Sequence, residues 1–449
     1  MASTYLTRTP SSAGNRRTFT ISAWIKRGTI SSANSQIISS GAYSSSQLFQ
    51  TFFESDDTVY ISDYTSGGSK SFQLSTNRKF RDINSWYHIL FAVDTTQGTA
   101  SNRVKVYVNG VQETSFSEAT YPSQNFDCAL NLNQLHTIAN RSGANFEFSG
   151  SMSHFHLCDG TALAPTVFGS TDSTTGEWKI NTSPSFTPGT NGFTILKDGN
   201  TITDQSANSN NWSLGSGTLT KTEDSPSNVF ATWNPLYKHN STFTLGNTKC
   251  MSGSSGEFGS ATTLGMSGTG KYYAEFKWTN GSYPILGVCD DIALSEYSNG
   301  NMGLGKTGTT KSIALKSNGS WRVNNSDTSL GGSYSLNNII GCAIDKSTNK
   351  IYFSNNGQWS NGSGAWDSTT FNASTGAIDV SSILTGSDWF FACGTDTGTA
   401  NQIWEINAGN GYFGTTAVSS AGTNASGIGI FEYNVPTGYT ALSTKGLNL

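Results

Sequence analysis

The sequence of 449 residues has few charged side chains, no long apolar segment and no block of basic residues. Charged residues make up 12% of it, against about 25% in an ordinary globular protein. Without clustered Lys and Arg to neutralise phosphates, a nucleic acid is not an expected partner. No apolar run approaches the roughly 18 residues that predict a membrane-spanning helix. The N-terminus also lacks the apolar core of a secretory signal, so we expect no membrane insertion and no signal peptide.

Metal-type cysteine spacing is absent as well. None of the six cysteines forms a CxxC or CxH pair, which is the usual sign of a zinc site. The cysteines are Cys128, Cys158, Cys250, Cys289, Cys342 and Cys393. The last three lie inside apolar runs, which favours buried free thiols that act as small hydrophobic residues. A disulfide between neighbouring strands is the alternative.

The chain is rich in glycine and in large aromatic side chains. It has 49 glycines, and aromatic residues reach 12% with 11 Trp among them. A disordered chain would share the polar, glycine-rich composition but would lack the aromatics. Because each large aromatic buries much area, a chain with only 35% hydrophobic residues can still build a core. This composition is typical of an all-β protein.

Short alternating runs end repeatedly in the pair Asn-Gly, which occurs eight times. Two such phrases are VKVYVNG at 104–110 and KIYFSNNG at 350–357. Asn-Gly suits a two-residue hairpin in which both residues have positive φ. No run has a convincing helical period. Many short strands between frequent turns predict antiparallel β-sandwiches.

The runs divide into two blocks, so we predict an all-β fold of two antiparallel β-sandwiches. The first sandwich is expected over 1–168 and the second over 241–449. Between them, 169–240 is predicted to be a turn-rich bridge. Because the bridge contains Trp178, Trp212 and other aromatics that a bare linker would not need, we expect it to pack on the sandwiches.

Three segments of the first block resemble the concanavalin A-like, laminin-G-type domain of marine bacteriophage proteins: FTISAWIKRG, NSWYHILFAVDTTQGTASNRVKVYVNGVQ and FEFSGSMSHFHLCDGTALAPTVFG. In the second block, GKYYAEFKW, ILGVCDD and IIGCAIDKSTNKIYFSNNG resemble a SPRY-type sandwich. The resemblance implies a concanavalin A-like/laminin-G jelly roll followed by a SPRY-like sandwich, and a virion protein that is assembled in the host cytoplasm. Fold alone does not define an activity.

Paired carboxylates for glycoside hydrolysis are the first catalytic group to look for, because the concanavalin-like fold also hosts glycanases. Such an enzyme needs two carboxyl groups about 5–9.5 Å apart. Glu54 and Asp56 are two residues apart, but their surroundings are typical of a solvated loop or strand end. Asp290, Asp291 and Glu296 lack the alternate-residue spacing and are typical of a turn. We therefore expect no enzyme, with a glycan-degrading enzyme as the least favoured alternative.

Metal and phosphate sites have weak signals. His154 and His156 share one strand face, which indicates a strand edge more than a metal site. The run NMGLGKTGTT lacks P-loop spacing and is interpreted as a β-turn. No cofactor is expected. The resemblance leaves calcium open, since laminin-G-type domains can bind it, but no ligand series is legible among the available carboxylates Asp63, Asp94, Asp127 and Asp159.

Binding through end loops is the favoured function, because sandwiches carry function on loops that a rigid scaffold holds. Sugar recognition combines a flat aromatic ring with Asn, Asp and Gly groups for the hydroxyls. The candidate ligand-binding residues are Trp359, Trp366, Asp367, Trp321, Asp290, Asp291 and Tyr297 in the second block, and Asp63 and Tyr64 in the first. The alternative for the aromatic residues is that they fix their loops to the sandwich edge.

The sequence thus predicts a phage virion surface protein, such as a tail fibre or spike, a head fibre or a capsid decoration. It would bind host-surface glycans or other host ligands without transforming them. Expected partners are other virion proteins, a host-surface glycan or protein, and further copies of the chain in the virion. A purely structural part that binds only other virion subunits is the alternative.

Overall fold

Strands make up 44% of the computed structural model and helices 3%. The structure describes residues 4–30, 33–43, 46–142, 146–197, 201–253, 259–293, 304–306, 311–396 and 401–449. Within these ranges, no helix is long and apolar enough to cross a membrane. The predicted all-β class is confirmed.

The chain divides into two units, and each is described by itself. The first unit comprises Met1–Lys221 and Ser225–Ser227, and the second comprises Thr222–Asp224 and Asn228–Leu449. Most of the predicted bridge, residues 169–221, therefore belongs to the first unit, and residues 228–240 belong to the second.

The first unit is built from two large antiparallel sheets and a hairpin. Its strands in chain order are β1 (Tyr5–Arg8), β2 (Thr18–Arg27), β3 (Ser35–Ser40), β4 (Leu48–Phe53), β5 (Val59–Tyr64), β6 (Lys70–Thr76), β7 (Trp86–Asp94), β8 (Val104–Val108), β9 (Val111–Gln112), β10 (Phe116–Thr120), β11 (His136–Ile138), β12 (Gly150–Asp159), β13 (Gly169–Thr171), β14 (Trp178–Ile180), β15 (Phe193–Ile195) and β16 (Ser213–Ser216). One sheet has the order β10-β6-β5-β4-β3-β11-β1-β16, the other has the order β15-β12-β2-β7-β8-β9, and β13 pairs with β14. Two short 3₁₀ helices span Ala100–Asn102 and Pro165–Val167.

The core of the first unit lies between its two large sheets. Side chains of a strand alternate between its faces, so Phe19 and Ile21 of β2 share one face and Phe49 of β4 meets them from the other sheet. The rings of Phe19 and Phe49 are edge to face with centroids 5.7 Å apart. Their contact joins the sheets as a sandwich, as the alternating runs predict.

The opposite face of the six-stranded sheet is covered by the β13–β14 hairpin. Trp178 of β14 stacks on His88 of β7 with ring centroids 5.9 Å apart, and Trp24 of β2 stacks on the same imidazole at 5.1 Å. The Trp178 Nε1–H donates to His88 Nδ1 at 3.1 Å. Burial lowers the pKa of His88 to about 3, so the imidazole stays neutral and can accept that hydrogen bond. The aromatic residues of this segment thus pack on the first sandwich.

The second unit also contains two large sheets and a small hairpin. Its strands in chain order are β17 (Trp233–His239), β18 (Ser241–Thr244), β19 (Lys249–Ser252), β20 (Gly259–Thr262), β21 (Lys271–Asn280), β22 (Pro284–Asp290), β23 (Ser312–Lys316), β24 (Ser320–Val323), β25 (Ser326–Ser329), β26 (Ile339–Asp345), β27 (Lys350–Asn355), β28 (Gln358–Ser360), β29 (Trp366–Ser368), β30 (Ile378–Asp379), β31 (Trp389–Thr395), β32 (Ile403–Asn407), β33 (Tyr412–Phe413), β34 (Thr416–Ala417) and β35 (Thr440–Ala441). The seven-stranded sheet has the order β17-β20-β31-β22-β23-β24-β25. The ten-stranded sheet runs β18-β19-β32-β21-β26-β27-β28-β29, with β30 on β27 and β35 on β21, and β33 pairs with β34. A 3₁₀ helix spans Gly446–Asn448.

The core of the second unit again joins two sheets. Phe276 of β21 meets Phe391 of β31 with ring centroids 5.3 Å apart at an interplanar angle of 61°. Cys250, Cys342 and Cys393 are fully or almost fully shielded from water in this core. All six cysteines are buried thiols outside any disulfide, so the prediction of buried thiols is confirmed.

The repeated strand-and-turn phrase forms hairpins in both units. Asn109 and Gly110 have φ values of 47° and 80°, and Asn356 and Gly357 have φ values of 47° and 76°. These are the left-handed values that a type I′ turn requires. At the other Asn-Gly pairs among the described residues, Asn does not have a positive φ. The pair at 299–300 lies outside those residues.

Candidate functional site

A polar and aromatic depression lies at one end of the seven-stranded sheet of the second unit. It has a volume of about 520 Å³, within the range of about 300–1,000 Å³ that small-ligand sites occupy. We call it the acidic depression because two of its lining residues are carboxylates. The lining residues are Tyr237, Thr263, Gly265, Ser267, Asp291, Asp388 and Phe390.

The strands place alternate residues on opposite sides at this end of the sheet. Trp389 begins β31 and is 2% exposed in the core, so its neighbours Asp388 and Phe390 point to the other side. The backbone of Trp389 pairs in both directions with that of Met266, with N–O distances of 2.7 and 3.1 Å. This bridge brings the segment that contains Gly265 and Ser267 alongside Asp388 and Phe390.

One predicted residue, Asp291, lines the acidic depression. Its side chain is exposed, and its Oδ2 accepts a hydrogen bond of 3.0 Å from Ser387 Oγ. Asp388 is half-buried and Tyr237 is 43% exposed. Carboxylates are acceptors only, and the exposed ring of Tyr237 offers a flat apolar surface. The depression can therefore accept hydrogen bonds from hydroxyl or amine donors beside an aromatic ring.

A lysine behind the acidic depression moderates its negative charge. Lys346 Nζ donates to the backbone oxygens of Met266 and Ser387 at 2.6 Å each and lies 5.1 Å from the ring centroid of Trp389. Burial lowers the pKa of Lys346, while Asp388 and Asp291 act in the opposite direction. The ammonium group is held by these contacts and orients the loops that line the depression.

Asp290 is adjacent to Asp291, but its carboxylate binds backbone N–H groups inside the unit. It is completely buried, and its two carboxylate oxygens accept hydrogen bonds from Ala293 N at 3.0 Å and Gly386 N at 2.7 Å. Alternation along the strand end sends Asp290 inward and Asp291 outward. The prediction that both carboxylates face a ligand is therefore corrected. Tyr297, the third candidate of this loop, lies outside the described residues.

Trp359 lies in the interior and offers no free ring face, which corrects its prediction as an exposed sugar platform. It is 6% exposed, and its ring meets Phe371 at 4.9 Å and Tyr273 at 6.3 Å between centroids. The reason is that β28 folds back on β27, so Trp359 joins a second aromatic cluster on the outer face of the ten-stranded sheet.

The other candidates of this region are fixed to the sandwich edge. Trp366 is half-buried, packs on Gly331 and donates its indole N–H to the backbone oxygen of Gly332. Asp367 is exposed, and its Oδ2 accepts from Asn361 Nδ2 at 2.6 Å. Trp321 is half-buried against the core of the unit. None of these residues lines the acidic depression.

In the first unit, the neighbours Asp63 and Tyr64 point to opposite faces of β5. Asp63 is 2% exposed, and its Oδ2 accepts from Ala129 N at 2.6 Å. Burial raises the pKa of Asp63 to about 7. Tyr64 lies on the outward face, where its hydroxyl is 3.0 Å from that of Tyr60. Strand alternation thus buries the candidate Asp63 and leaves the candidate Tyr64 half-buried on the outward face.

The carboxylates considered for calcium have protein donors around them. Asp94 accepts from Thr96 and Gln97, Asp127 pairs with Arg17 at 2.7 Å, and Asp159 accepts from Asn15 N and Asn191 N at 2.7 and 2.8 Å. Among the described residues, no group of three or more His, Cys, Asp and Glu side chains is placed to hold a metal ion.

Sequence reasoning missed Asp388 and Phe390, the two residues of β31 and its entry that line the acidic depression. The signal was present in SDWFFACG, residues 387–394, where the alternation of a buried strand sends every second side chain away from the core. Thr263 and Ser267 had no such signal. They are brought to the acidic depression by the backbone contact between Met266 and Trp389, two residues that are distant in sequence.

One family model matches part of this chain, and several solved structures are similar to parts of it. Residues 2–168 match the family model described as the concanavalin A-like lectin/glucanases superfamily. The SPRY domain of human HERC1 is 14% identical, with 39% of this chain and 96% of that chain covered and a TM-score of 0.29. A human SPRY domain is 12% identical over 38% of this chain and 95% of its own length, with a TM-score of 0.27.

A heptameric SAP-like pentraxin from Limulus polyphemus is 18% identical over 36% of this chain and 71% of that chain, with a TM-score of 0.26. No match was found among curated proteins. The match to the concanavalin A-like lectin/glucanases family model covers residues 2–168, and these residues lie in the first unit, whose core joins two antiparallel sheets.

Proposed function

We propose that this protein is a non-enzymatic, saccharide-binding component of a virion surface and that the acidic depression contacts the saccharide. The observation that carries the proposal is the placement of Asp291 and Asp388 beside Phe390 and Tyr237 in one depression. Carboxylates accept hydrogen bonds from sugar hydroxyls, and aromatic rings pack against the apolar face of a pyranose. Few polar groups on a partly apolar surface are typical of small-ligand sites.

Binding without hydrolysis is the function that the carboxylates favour. A glycosidase needs one carboxyl group that stays protonated in an apolar pocket and a second that is ionised. Asp291 is exposed to water and already accepts a hydrogen bond from Ser387. Asp291 is therefore not enclosed in an apolar pocket, and it is placed to accept hydrogen bonds from sugar hydroxyls.

The virion location is supported by the sequence resemblance to bacteriophage proteins. A surface role would place the chain in a fibre, spike or capsid decoration, with host-surface glycans as ligands. Other virion subunits and further copies of this chain are its proposed assembly partners.

The test is a binding assay of the purified protein against neutral host-surface oligosaccharides, with reducing ends measured in parallel. Asp388→Asn and Phe390→Ala are expected to weaken binding about tenfold or more, because each removes a charge-assisted hydrogen bond or a ring contact. Asp367→Asn is the matched control, since Asp367 is an exposed carboxylate of the same unit that lies away from the depression.

Three results would overturn the proposal. Release of reducing ends would make the protein an enzyme. Saturable binding that survives both substitutions in folded protein would place the site elsewhere. Absence of saccharide binding together with tight association with glycan-free virion shells would make the chain a structural subunit.

A further inference from the structure

The outward face of the eight-stranded sheet in the first unit carries a polar and aromatic surface. Across β4 and β5, Gln50 pairs with Ser62 and Phe52 pairs with Tyr60. These residues alternate with the core residues Phe49 and Ile61, so they face away from the core. These four side chains form a polar and aromatic layer on that side of the sheet, and each is at most 4% exposed.

Arg141 lies on this face, and its guanidinium is held in a fixed position. Its Nη1 donates to Gln50 Oε1 at 2.9 Å, and its Cζ lies 3.9 Å from the ring centroid of Phe146. Phe146 in turn packs on Phe52 with centroids 5.4 Å apart. Hydrogen bonding and stacking on a ring thus orient the plane of the guanidinium before any ligand arrives.

The guanidinium of Arg141 lacks a carboxylate partner. Within the described ranges no Asp or Glu lies within ion-pair distance of it, whereas Arg17, Arg27 and Arg322 each pair with an aspartate. Its Nε is buried and has no hydrogen-bond partner. A partly buried cation without an anion is unfavourable, and burial accordingly lowers the pKa of Arg141. Because Nε is shielded from solvent, an anionic group would approach the accessible part of this half-buried guanidinium and supply the missing charge.

Three tyrosines surround this guanidinium. Tyr64, Tyr43 and Tyr60 are the titratable groups that act on Arg141 electrostatically. The ring of Tyr43 is 52% exposed and stands edge to face with that of Tyr64 at 5.5 Å. Together they place hydroxyl groups and one exposed flat ring next to a cation that has no partner acid.

We propose that Arg141, Tyr43 and Tyr64 form a second binding site, which takes a saccharide bearing a carboxylate or sulfate group. The guanidinium receives the anionic group, because planar forks of N–H donors match such oxygens. The half-buried Tyr64 offers its hydroxyl to a sugar hydroxyl, and the exposed Tyr43 ring packs against the sugar ring. The buried Gln50 and Tyr60 hold Arg141 and Tyr64 in place through their hydrogen bonds. The site lies in the first unit and does not depend on the acidic depression, which would repel an anion.

Isothermal titration of the purified full-length protein tests this site. The ligands are an oligogalacturonate, the same oligosaccharide with methyl-esterified carboxylates, inorganic sulfate, and a hexaglutamate peptide. We expect the acidic oligosaccharide to bind and the ester to bind about tenfold or more weakly. Arg141→Gln should abolish this preference, and Arg141→Lys should restore it in part, because Lys keeps the charge without the fork.

Arg17→Gln is the matched control, since it removes the same charge from an exposed arginine that already pairs with Asp127. It should leave acidic-oligosaccharide binding unchanged. If Arg141→Gln does not fold, as judged from its thermal melt, then Tyr43→Ala decides, because that exposed ring is not part of the core. Its expected effect is a loss of affinity of severalfold.

Equal binding of the acid and its ester would overturn the proposal. Unchanged binding of the acid by folded Arg141→Gln would also overturn it. If Arg141→Gln is unfolded, unchanged binding of the acid by Tyr43→Ala has the same consequence. Sulfate that binds as tightly as the oligosaccharide would reduce the site to a small-anion site. Hexaglutamate that binds with the same affinity would indicate that the ligand of this site is an acidic polypeptide. Either result would contradict the saccharide assignment.

Discussion

Arg27 and Asp57 form an ion pair that is almost completely shielded from water in the first unit. Arg27 Nη1 lies 2.9 Å from Asp57 Oδ1, and the two side chains are 2% and 0% exposed. Arg27 also donates to the backbone oxygen of Phe80 at 2.6 Å, and the exposed Arg81 reaches the other oxygen of Asp57 at 2.8 Å. The pair joins the end of β2 to the β4–β5 turn, and its donors and acceptors are satisfied.

Removal of one partner of this pair should destabilise the first unit strongly. Asp57→Asn is the informative change, because Asp57 has a φ of 73° and Asn tolerates that conformation as well as Asp does. It leaves the Arg27 charge buried without its anion, which should lower the free energy of unfolding by about 3–5 kcal/mol. Denaturant unfolding followed by tryptophan fluorescence measures the change.

The exposed pair Arg17–Asp127 is the control for this prediction. Its side chains are 45% and 48% exposed, and its N–O distance of 2.7 Å is similar to that of the buried pair. Asp127→Asn should leave the unfolding midpoint nearly unchanged, because water screens and replaces such pairs. Similar losses for Asp57→Asn and Asp127→Asn would show that burial is not what gives the Arg27–Asp57 pair its importance.

Substitution of Gly110 should disturb the β8–β9 hairpin and the Trp178 ring together. Gly110 has a φ of 80°, and a Cβ there would overlap with the indole of Trp178. Gly110→Ala therefore combines left-handed backbone strain of about 1–2 kcal/mol with overpacking of about 1–3 kcal/mol. We expect the two contributions together to lower the melting temperature of the first unit, which calorimetry measures.

Two other glycines separate these contributions. Gly176 has a φ of 73° and open space around it, so Gly176→Ala should show the backbone strain alone. Gly98 has open space and no left-handed φ, so Gly98→Ala should be close to neutral or slightly stabilising. If Gly110→Ala costs no more than Gly176→Ala, contact with Trp178 does not restrict the residue at 110.

The strands were predictable because their signal is local. The alternation in β2 follows directly from the sequence. The core side chains are Phe19, Ile21 and Ala23, and those on the other face are Thr20 and Ser22. Asn109-Gly110 likewise specifies its own turn. Periodicity and turn chemistry act over a few residues, so one sequence is enough to identify them.

The candidate site was predicted only in part because side-chain exposure depends on distant contacts. Trp359 follows a hairpin and is flanked by polar residues, yet Phe371 and Tyr273 enclose it. Asp290 and Asp291 differ only in the face they take, and that face is set by pairing with β31. Arg141 drew no attention, since an unpaired guanidinium is recognisable only when the neighbouring strands are in place.

Glu275 should make the stability of the second unit decrease as the pH rises. Its buried carboxylate accepts hydrogen bonds from Glu432 N and Tyr433 N at 2.8 Å each, and from Tyr273 and Asn407 side chains, and so attaches the C-terminal segment to β21. Burial nevertheless raises its pKa from the ordinary 4.5 to about 7. Between these values the folded chain retains a proton that the unfolded chain has released.

Linkage then lowers the free energy of unfolding as the pH rises from about 4.5 to about 7, by an amount on the order of 3 kcal/mol. Glu275→Gln cannot titrate, so its unfolding free energy should lack this slope, although the amide also weakens the attachment of the C-terminal segment at every pH. Denaturant unfolding of both proteins at pH 4.5, 5.5, 6.5 and 7.5 measures the difference. Glu405, whose pKa burial also raises, is present in both proteins and cancels. Parallel curves for the two proteins would mean that Glu275 does not change its protonation between the folded and unfolded states in this range.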